Sequence, residues 1–332
     1  MMTAFGEQGL SRRQFISLGA RAACAAPLAA CAAPLAGRAH GAAPAAVDPN
    51  LSVFLSDIHV SGKNVKGQPT YQNPLFEKAV GQVLALNPRP KRVLVFGDIA
   101  LWNGLSADYA ESAPLIQRLR DAGIDVYLTI GNHDHREPLF RFHPRQKEIT
   151  PVPGRFVSVV DVGTADFVLL DSLKENPKGE GSGNAVDGGL DAAQADWLMS
   201  FAAAARRPFF CGAHHPAGEL FIGKKKILAA LGGFPLFAGY IHGHNHRWYR
   251  EWVPLAWSSP RVACSACLPS TGWWGNIGFA TFRTEAHGAK LAFVQNDFFF
   301  PKPLAEGQKR PVEWDQIMRE DAGDACSFVY GA

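Results

Sequence analysis

The stretch Val126–Asp134, with the sequence VYLTIGNHD, decides the fold. Its first five residues are mostly apolar or β-branched and predict a buried strand. Gly131 permits a sharp turn out of that strand, and Asn132, His133 and Asp134 follow at once. In open α/β sheets, ligands bind at the carboxyl ends of the strands. These polar side chains therefore predict a binding site at the end of a parallel strand.

Four further polar clusters follow apolar runs in the same way. They are Asp57–His59, Gly97–Asp98, His214–Pro216 and Gly243–His246. Apolar residues at helical spacing predict helices at Pro74–Leu86, Asp108–Ala122 and Leu190–Ala205. The alternation of strands and helices implies parallel strands with crossover helices, and alternating runs after residue 261 predict antiparallel strands. Strand ends rich in Asp, Asn and His indicate a binuclear metal site.

The composition is that of a large globular chain. Of its 332 residues, 47% are hydrophobic and 11% aromatic, which suffices for a sizeable core and excludes global disorder. The formal net charge of +3 includes four arginines and one glutamate of the amino-terminal segment. Without them, 29 of the 33 basic and 29 of the 30 acidic residues remain. We therefore expect no nucleic acid polymer as a partner, because this balance offers no electrostatic attraction.

The amino-terminal segment has the pattern of an export signal. Ser11–Ile16 (SRRQFI) resembles the twin-arginine signal, and an alanine-rich stretch without acidic residues follows it up to Gly41. Arg21 and the prolines interrupt this stretch before it reaches the ~20 apolar residues of a membrane span. We expect residues 1–45 to be a signal peptide, the twin-arginine export machinery to be a partner, and the mature protein to be periplasmic or secreted.

Two ways of processing this signal remain open. Cleavage at the small residues between Ala39 and Ala43 gives a soluble product, and this is the favoured interpretation. Leu28–Cys31 (LAAC) also resembles a lipoprotein box. Cleavage there would leave Cys31 lipidated on the membrane surface, and only in that case is the membrane a partner.

The types of side chain and their spacing suit two cations. Asp57 and His59, at i and i+2 of an extended strand end, point to the same side and can share one ion. His244 and His246 have the same spacing and can each reach a different metal. Asp98 has two carboxylate oxygens and can bridge both ions. Imidazole and carboxylate ligands without thiolate suit Fe, Mn, Zn or Co, and the choice among these metals remains open.

The five clusters, in this order, resemble the calcineurin-like metallophosphoesterase family, which includes purple acid phosphatases and class III cyclic-nucleotide phosphodiesterases. The resemblance covers about residues 51–247. It implies an α/β fold with four layers, an α/β/β/α sandwich of two mixed β-sheets flanked by helices, with the metal site at the carboxyl ends of the strands. It implies that one metal is held by Asp57, His59, Asp98 and His246. It implies that the second is held by Asp98, Asn132, His214 and His244.

By the same resemblance, His133 contacts the substrate phosphate and protonates the leaving group, and Asn132 also lies at the phosphate. The predicted function is that of an exported dimetal phosphoesterase. It would hydrolyse a phosphomonoester or phosphodiester P–O bond of a small phosphorylated substrate by attack of a metal-bridging hydroxide. Two alternatives remain open, a nucleotide or sugar-diphosphate pyrophosphatase and a phosphate-ligand-binding protein with slow turnover.

Supporting roles are predicted for residues beside the ligands. Asp134 is expected to support catalysis by orienting an imidazole. Arg136 either pairs with phosphate oxygens or is an exposed structural arginine. Asn103 is expected to orient Asp98. The pair Trp273–Trp274 either stacks on a base or packs within the protein.

The chain is expected to form one domain over residues 46–300, with a wrapping tail at 301–332. Cys264 and Cys267 have a spacing seen in redox and zinc motifs, but no second pair completes a zinc site. Buried thiols or one disulfide are favoured over a redox centre.

Overall fold

The computed structural model describes residues 45–63, 65–68, 70, 72–254, 262–296 and 325–330. The predicted export motif, Cys31 and most of the predicted tail lie outside these residues. None of the helices in the described part of the chain has the length and apolar character needed to cross a bilayer.

One mixed sheet carries the first three polar clusters. Its six strands are β1 (Val47–Leu55), β2 (Arg89–Phe96), β3 (Asp125–Thr129), β12 (Gly278–Glu285), β13 (Gly288–Gln295) and β14 (Ala325–Val329). Their spatial order is β14-β13-β12-β1-β2-β3. The strands β1, β2 and β3 are parallel, so their carboxyl ends meet at one edge, whereas β12, β13 and β14 are antiparallel to their neighbours.

The second mixed sheet carries the two histidine clusters. Its strands are β4 (Ser158–Asp161), β5 (Asp166–Leu169), β6 (Phe209–Ala213), β9 (Phe237–His242), β10 (Tyr249–Pro254) and β11 (Val262–Cys267). Their order is β10-β11-β9-β6-β5-β4. Parallel pairing of β5, β6, β9 and β11 brings the ends of β6 and β9 together, which is where His214 and Gly243 follow. A short hairpin of β7 (Phe221–Ile222) and β8 (Lys225–Lys226) forms a separate two-stranded sheet.

Helices cover the outer faces of both sheets. They are α1 (Gln72–Ala85), α2 (Ser106–Asp121), α3 (Arg136–Phe142), α4 (Arg145–Ile149), α5 (Ala192–Ala204) and α6 (Ile227–Leu231). One core joins α1, α2 and α3 to the first sheet, and another joins α5 and α6 to the second. Because side chains alternate along a strand, Val53 faces the helices while its neighbour Phe54 faces the second sheet.

The core between the sheets is built largely from aromatic rings. The ring of Phe54 stacks on that of Phe282 with centroids 4.9 Å apart, and it meets Phe167 edge to face at 5.1 Å. Phe210 continues this cluster, and all four rings are fully buried. Burial of such rings makes a large contribution to stability. The structure is therefore a four-layer α/β/β/α sandwich, and the predicted fold class is confirmed.

Several elements differ from the sequence-based expectation. The helices α3 and α4 are not among those predicted from the sequence. Ala325–Val329, within the expected tail, is instead the edge strand β14, which pairs with β13. Regular backbone pairing draws this segment into the sheet, so the domain extends beyond residue 300.

The cysteine pair of the C-x-x-C spacing does not act as one group. Cys264 and Cys267 are three residues apart on β11 and therefore face opposite sides of the strand. The Cys264 sulfur lies 3.0 Å from that of Cys326 on β14, and the Cys267 thiol contacts the carbonyl oxygen of Gly243 at 3.4 Å. The nearest sulfur to Cys264 thus belongs to the other sheet.

Candidate metal centre

The polar clusters lie in left-handed turns just after the strands end. Among the described residues, five that are not glycine have a positive φ, between 49° and 71°. They are Asp57, His59, Asp98, His244 and His246. This conformation is costly for residues with a side chain and is typically retained where function requires it. All five are predicted metal ligands. Because Asp57 and His59 have a positive φ, they do not lie on an extended strand end, and the prediction that such an end aims them to one side is wrong. Left-handed turns aim them instead.

Three of the predicted ligands of the first metal meet at one point. Nε2 of His246 lies 3.2 Å from Oδ1 of Asp57 and 3.1 Å from Nε2 of His59. The Asp57 carboxylate accepts hydrogen bonds from the Ser56 hydroxyl at 2.6 Å and from the backbone N–H of His244 at 3.1 Å. All three ligand side chains are buried, so their positions are fixed by packing as well as by these bonds.

A second group forms around Asn132. Its Oδ1 lies 3.0 Å from Nε2 of His214 and 3.0 Å from Nδ1 of His244, and those two nitrogens are 3.1 Å apart. Asp98 stands between the two groups. Its Oδ2 lies 3.2 Å from Nε2 of His214 and 3.8 Å from Nε2 of His59. The structure thus brings all seven predicted ligands together in two sets that share Asp98.

The outer nitrogens of two imidazoles show which nitrogen faces the centre. Nδ1 of His59 lies 3.3 Å from the carbonyl oxygen of Leu101, and Nδ1 of His214 lies 2.9 Å from that of Phe96. A carbonyl oxygen can only accept, so each Nδ1 carries a hydrogen, and each Nε2 is the nitrogen that faces the centre and can bind a metal when the imidazole is neutral. Lone pairs of imidazole, carboxylate and amide groups converge without thiolate. This donor set fits a pair of metal ions of the Fe, Mn or Zn type.

The electrostatics of the centre favour positive charge. Burial lowers the pKa of His59 to about 3, so this imidazole is neutral at pH 7, as a metal ligand must be. Burial would raise the pKa of Asp57 and Asp98, but the imidazoles of His246 and His214 hold both well below their usual range. Burial likewise opposes protonation of His214, yet Asp98 and Asp57 raise its pKa to about 9. The carboxylates thus attract a cation, whether a proton or a metal ion.

His133 lies beside the centre. Its Nδ1 donates to the carbonyl oxygen of Trp102 at 2.8 Å, and its backbone N–H donates to Oδ1 of Asp98 at 2.8 Å. Its Nε2 is 3.9 Å from Oδ2 of Asp98, and 23% of its side chain is exposed where it lines the cavity in front of the centre. The ring is therefore both held in place and accessible to a substrate.

Asp134 does not orient an imidazole, and that prediction is wrong. Its carboxylate accepts hydrogen bonds from the backbone N–H groups of Ile99, Ala100 and Gly131 and from the Tyr109 hydroxyl, at 2.9–3.2 Å. The three N–H groups lie on the two turns that carry Asp98 and Asn132, and Tyr109 belongs to α2. Asp134 therefore positions the backbone of the ligand turns. The expected role of Asn103 at Asp98 is filled by the His133 N–H, and Asn103 lines the cavity instead.

The structure places Arg136 away from the metal centre. Its guanidinium makes a bidentate pair with the buried Asp171, at 2.7 and 2.8 Å, and donates to Glu175 at 2.8 Å. It also donates to the carbonyl oxygen of Leu173. It lines a separate groove of about 660 Å³. The prediction of a phosphate contact is not supported, because these acceptors already occupy the guanidinium.

A cavity of about 380 Å³ opens in front of the metal centre. A loop between β5 and α5 forms part of its wall, through Gly183, Asn184 and Val186. The amide of Asn184 donates to the carbonyl oxygens of Asn132 and Asp134, at 2.9 and 2.7 Å, which ties this loop to the ligand turn. Trp102 also lines this cavity. Neither Asn184 nor Trp102 lies in a recognisable sequence cluster, so local patterns predict no role for them.

The fold and this group of side chains define a class of protein, a two-sheet α/β sandwich with a candidate dinuclear metal centre at the carboxyl ends of its strands. A family model described as calcineurin-like phosphoesterase matches residues 52–248, more than half of the chain. The chain therefore belongs to the calcineurin-like phosphoesterase family and is a metal-dependent phosphoester hydrolase. The family resemblance is confirmed, and family membership implies two metal ions.

Solved structures share this fold at low sequence identity. A dimetal phosphatase from Danio rerio is 16% identical, with a TM-score of 0.56 over 74% of this chain and 96% of that chain. A purple acid phosphatase from yellow lupin (Lupinus luteus) is 13% identical, with a TM-score of 0.53 over 84% of this chain and about half (53%) of that chain. The structure of PhoD is 10% identical, with a TM-score of 0.53 over 78% of this chain and 69% of that chain. A search of the curated proteins gave no match.

Proposed function

We propose that this protein is an exported dimetal phosphoesterase that hydrolyses a P–O ester bond of a small phosphorylated molecule. The observation that carries the proposal is the sharing of Asp98 between two ligand sets, with Oδ2 3.2 Å from His214 and 3.8 Å from His59. One set contains Asp57, His59 and His246, and the other contains Asn132, His214 and His244. When bound, two cations so placed supply Lewis acidity to a phosphoryl group and lower the pKa of a water molecule.

The chain's own residues supply binding and proton transfer. Asn132 and His133 lie side by side at the floor of the cavity, where a phosphoryl oxygen can reach both. The His133 ring is oriented by its Nδ1 hydrogen bond to Trp102, which leaves Nε2 to hold a proton for the leaving oxygen. Donation of that proton neutralises the charge that develops on the oxygen as the P–O bond breaks. His133 is therefore the general acid in this proposal.

The test is metal-dependent release of nitrophenol from p-nitrophenyl phosphate and bis-p-nitrophenyl phosphate. Metal is removed by chelation, and Mn, Zn or Fe is then added back. We expect turnover to disappear on chelation and to return at two metal ions per chain. Asp98→Asn should reduce the content of both metals, because both sets share this carboxylate. Full metal loading without any turnover would favour the phosphate-ligand-binding protein and contradict a hydrolytic function.

The exported location rests on sequence. The twin-arginine pattern Ser11–Ile16 supports passage of the folded chain, with its metals already bound, through the twin-arginine export machinery. Replacement of Arg12 and Arg13 by lysine should retain the protein in the cytoplasm in a fractionation experiment. Replacement of Cys31 by alanine should leave the exported product unchanged in mass if the mature protein is soluble. A loss of membrane association in that variant would instead indicate a lipoprotein.

A further inference from the structure

The cavity in front of the metal centre has an aromatic rim. Trp102 and Trp274 line it, and their side chains are 40% and 37% exposed. Trp273 lies beside Trp102, with ring centroids 4.7 Å apart at an interplanar angle of 89°, and packs edge to face on His59 at 4.5 Å. Trp273 thus supports the first ligand set. The two exposed indoles offer apolar faces to whatever enters the cavity.

The two exposed indoles stand beside different parts of the centre. The Trp102 ring lies 5.7 Å from that of His133, the proposed proton donor, so Trp102 is next to the leaving group. The Trp274 ring lies 4.5 Å from that of His246, a ligand of the first set, at an interplanar angle of 38°. A substituent that stays on phosphorus after cleavage must lie away from the proton donor. Trp274 is therefore the indole placed to contact the retained substituent.

The side chains that line the cavity offer a substrate phosphate little positive charge of their own. None of the described residues that line it is a lysine or an arginine. The nearby cations Arg136, Arg155 and Lys174 line the separate groove and are paired with Asp171, Asp191 and Asp187. Apart from the metal ions and the proton on His133, a phosphomonoester dianion at pH 7 would find no cation in this lining for its second charge. A phosphodiester carries one charge and has a second substituent to fill the rim.

We propose that the cavity takes phosphodiesters whose retained substituent is a planar aromatic ring, a nucleobase or an aryl group, stacked on Trp274. This inference rests on the proposed hydrolytic function and adds the class of its substrate. Stacking of a base on an aromatic side chain is worth about 1–3 kcal/mol. Since each 1.4 kcal/mol corresponds to a factor of ten, the ring should raise kcat/KM by about tenfold over an alkyl group of similar reach.

The experiment keeps the leaving group constant and varies only the retained substituent. The metal-loaded enzyme is given ethyl p-nitrophenyl phosphate, bis-p-nitrophenyl phosphate, thymidine 5′-p-nitrophenyl phosphate and the monoester p-nitrophenyl phosphate. We expect kcat/KM to be about tenfold higher for the aryl or the thymidine diester than for the ethyl diester, and lowest for the monoester. A higher value for thymidine identifies a nucleobase as the preferred ring, and a higher value for the aryl diester identifies a simple arene.

Variants separate stacking from effects on the metals. In Trp274→Ala the ratio of kcat/KM for the aromatic diesters to that for the ethyl diester should fall towards one, and Trp274→Phe should restore most of it. Because altered metal loading would slow all substrates alike, this ratio reports on the ring alone. Trp252→Ala is the matched control, since Trp252 is 55% exposed on β10 and does not line the cavity.

The outcomes distinguish this inference from the function on which it rests. If the ethyl diester or the monoester is hydrolysed as fast as the aromatic diesters, the inference is wrong and the phosphoesterase function stands. An unchanged ratio in Trp274→Ala would overturn it in the same way. If no substrate is turned over with any metal, the proposed function itself fails.

Discussion

Gly272 packs directly against the carbonyl group of Ile58. A Cβ atom at position 272 would lie 1.6 Å from that oxygen, far inside van der Waals contact. Ile58 separates two predicted ligands of the first metal, Asp57 and His59, and the Gly272 N–H donates to the carbonyl oxygen of Asp57 at 3.1 Å. The segment before the tryptophan pair therefore fixes the shape of the first ligand turn.

Gly272→Ala is expected to distort this turn. Since the clashing atom belongs to the backbone, the turn must shift, and we expect a loss of about 3 kcal/mol in the free energy of unfolding, together with a lower content of the first metal. Urea unfolding and elemental analysis measure the two effects. Gly233→Ala is the control, because nothing lies within 4 Å of a Cβ there. Normal metal content in Gly272→Ala would show that the turn tolerates the shift.

His133→Ala should slow hydrolysis in a way that depends on the leaving group. For esters with poor leaving groups, such as alkyl phosphates, we expect a ~10²–10⁴-fold decrease in kcat, which is typical for loss of a general acid. Nitrophenyl esters need little protonation and should be slowed far less. The metal content should be retained, because the backbone N–H of residue 133 still donates to Asp98. Equal slowing of both ester types would contradict the proposal that His133 is the general acid.

Asp134→Asn should weaken metal binding without touching a ligand. In the parent, N–H donors surround both carboxylate oxygens, whereas the asparagine amide has only one acceptor oxygen. The NH₂ group of the amide would therefore face the N–H of Gly131 or Ala100, where two donors meet. We expect a loss of about 1–3 kcal/mol in stability and weaker metal affinity in a competition titration. Tyr109→Phe removes one hydrogen bond to this carboxylate and the one that the Tyr109 hydroxyl accepts from the His135 N–H, and it should lower metal affinity less than Asp134→Asn does.

Arg136→Ala should affect stability and leave substrate binding alone. The change leaves Asp171, whose side chain has no solvent exposure, without its bidentate partner. Loss of one member of a buried pair typically costs about 3–5 kcal/mol. The KM of the folded variant should stay within about twofold of that of the parent. Arg141→Ala on the same helix is the control, since its pair with Glu137 is exposed and contributes little. A large rise in KM would instead indicate that Arg136 contacts the substrate phosphate.

Glu175 should make stability depend on pH in the acidic range. Burial opposes its ionisation, but hydrogen bonds from His135 and Arg136 lower its pKa to about 2, below the value of 4.5 for a glutamate in the unfolded chain. Its stabilising contribution is therefore complete above pH 4.5 and is lost as the pH falls towards 2. Glu175→Gln should lose about 2 kcal/mol at pH 7. The difference between variant and parent should shrink between pH 4.5 and pH 2.

The control for this prediction is Glu137→Gln, which removes the exposed partner of Arg141. It should change stability little at either pH, because solvent screens an exposed pair. Urea titrations of both variants at pH 7 and pH 3 provide the comparison. A constant difference between Glu175→Gln and the parent across this range would show that the pKa of Glu175 is the same in the folded and the unfolded protein.

Local sequence patterns predicted the strands before each polar cluster and the helices α1, α2 and α5. A helix that is buried on one face carries apolar residues at regular spacing, and this spacing can be read from the sequence. The patterns did not predict α3, which begins at Arg136 directly after the ligand motif. The helix has only seven residues, and its first side chain, Arg136, bonds to the distant Asp171 and Glu175, so the segment is too short to display a helical period.

The sequence by itself determined the class of the protein, since five clusters of metal-binding residue types in a fixed order mark the ends of successive strands. Only the tertiary structure decided how these residues are aimed and what surrounds them. The left-handed turns at Asp57 and His246, the use of Asp134 to hold two turns, and the meeting of Trp102 with Trp273 all depend on contacts between segments far apart in the chain. Such contacts form through packing and hydrogen bonding, which leave no period or motif in any single stretch.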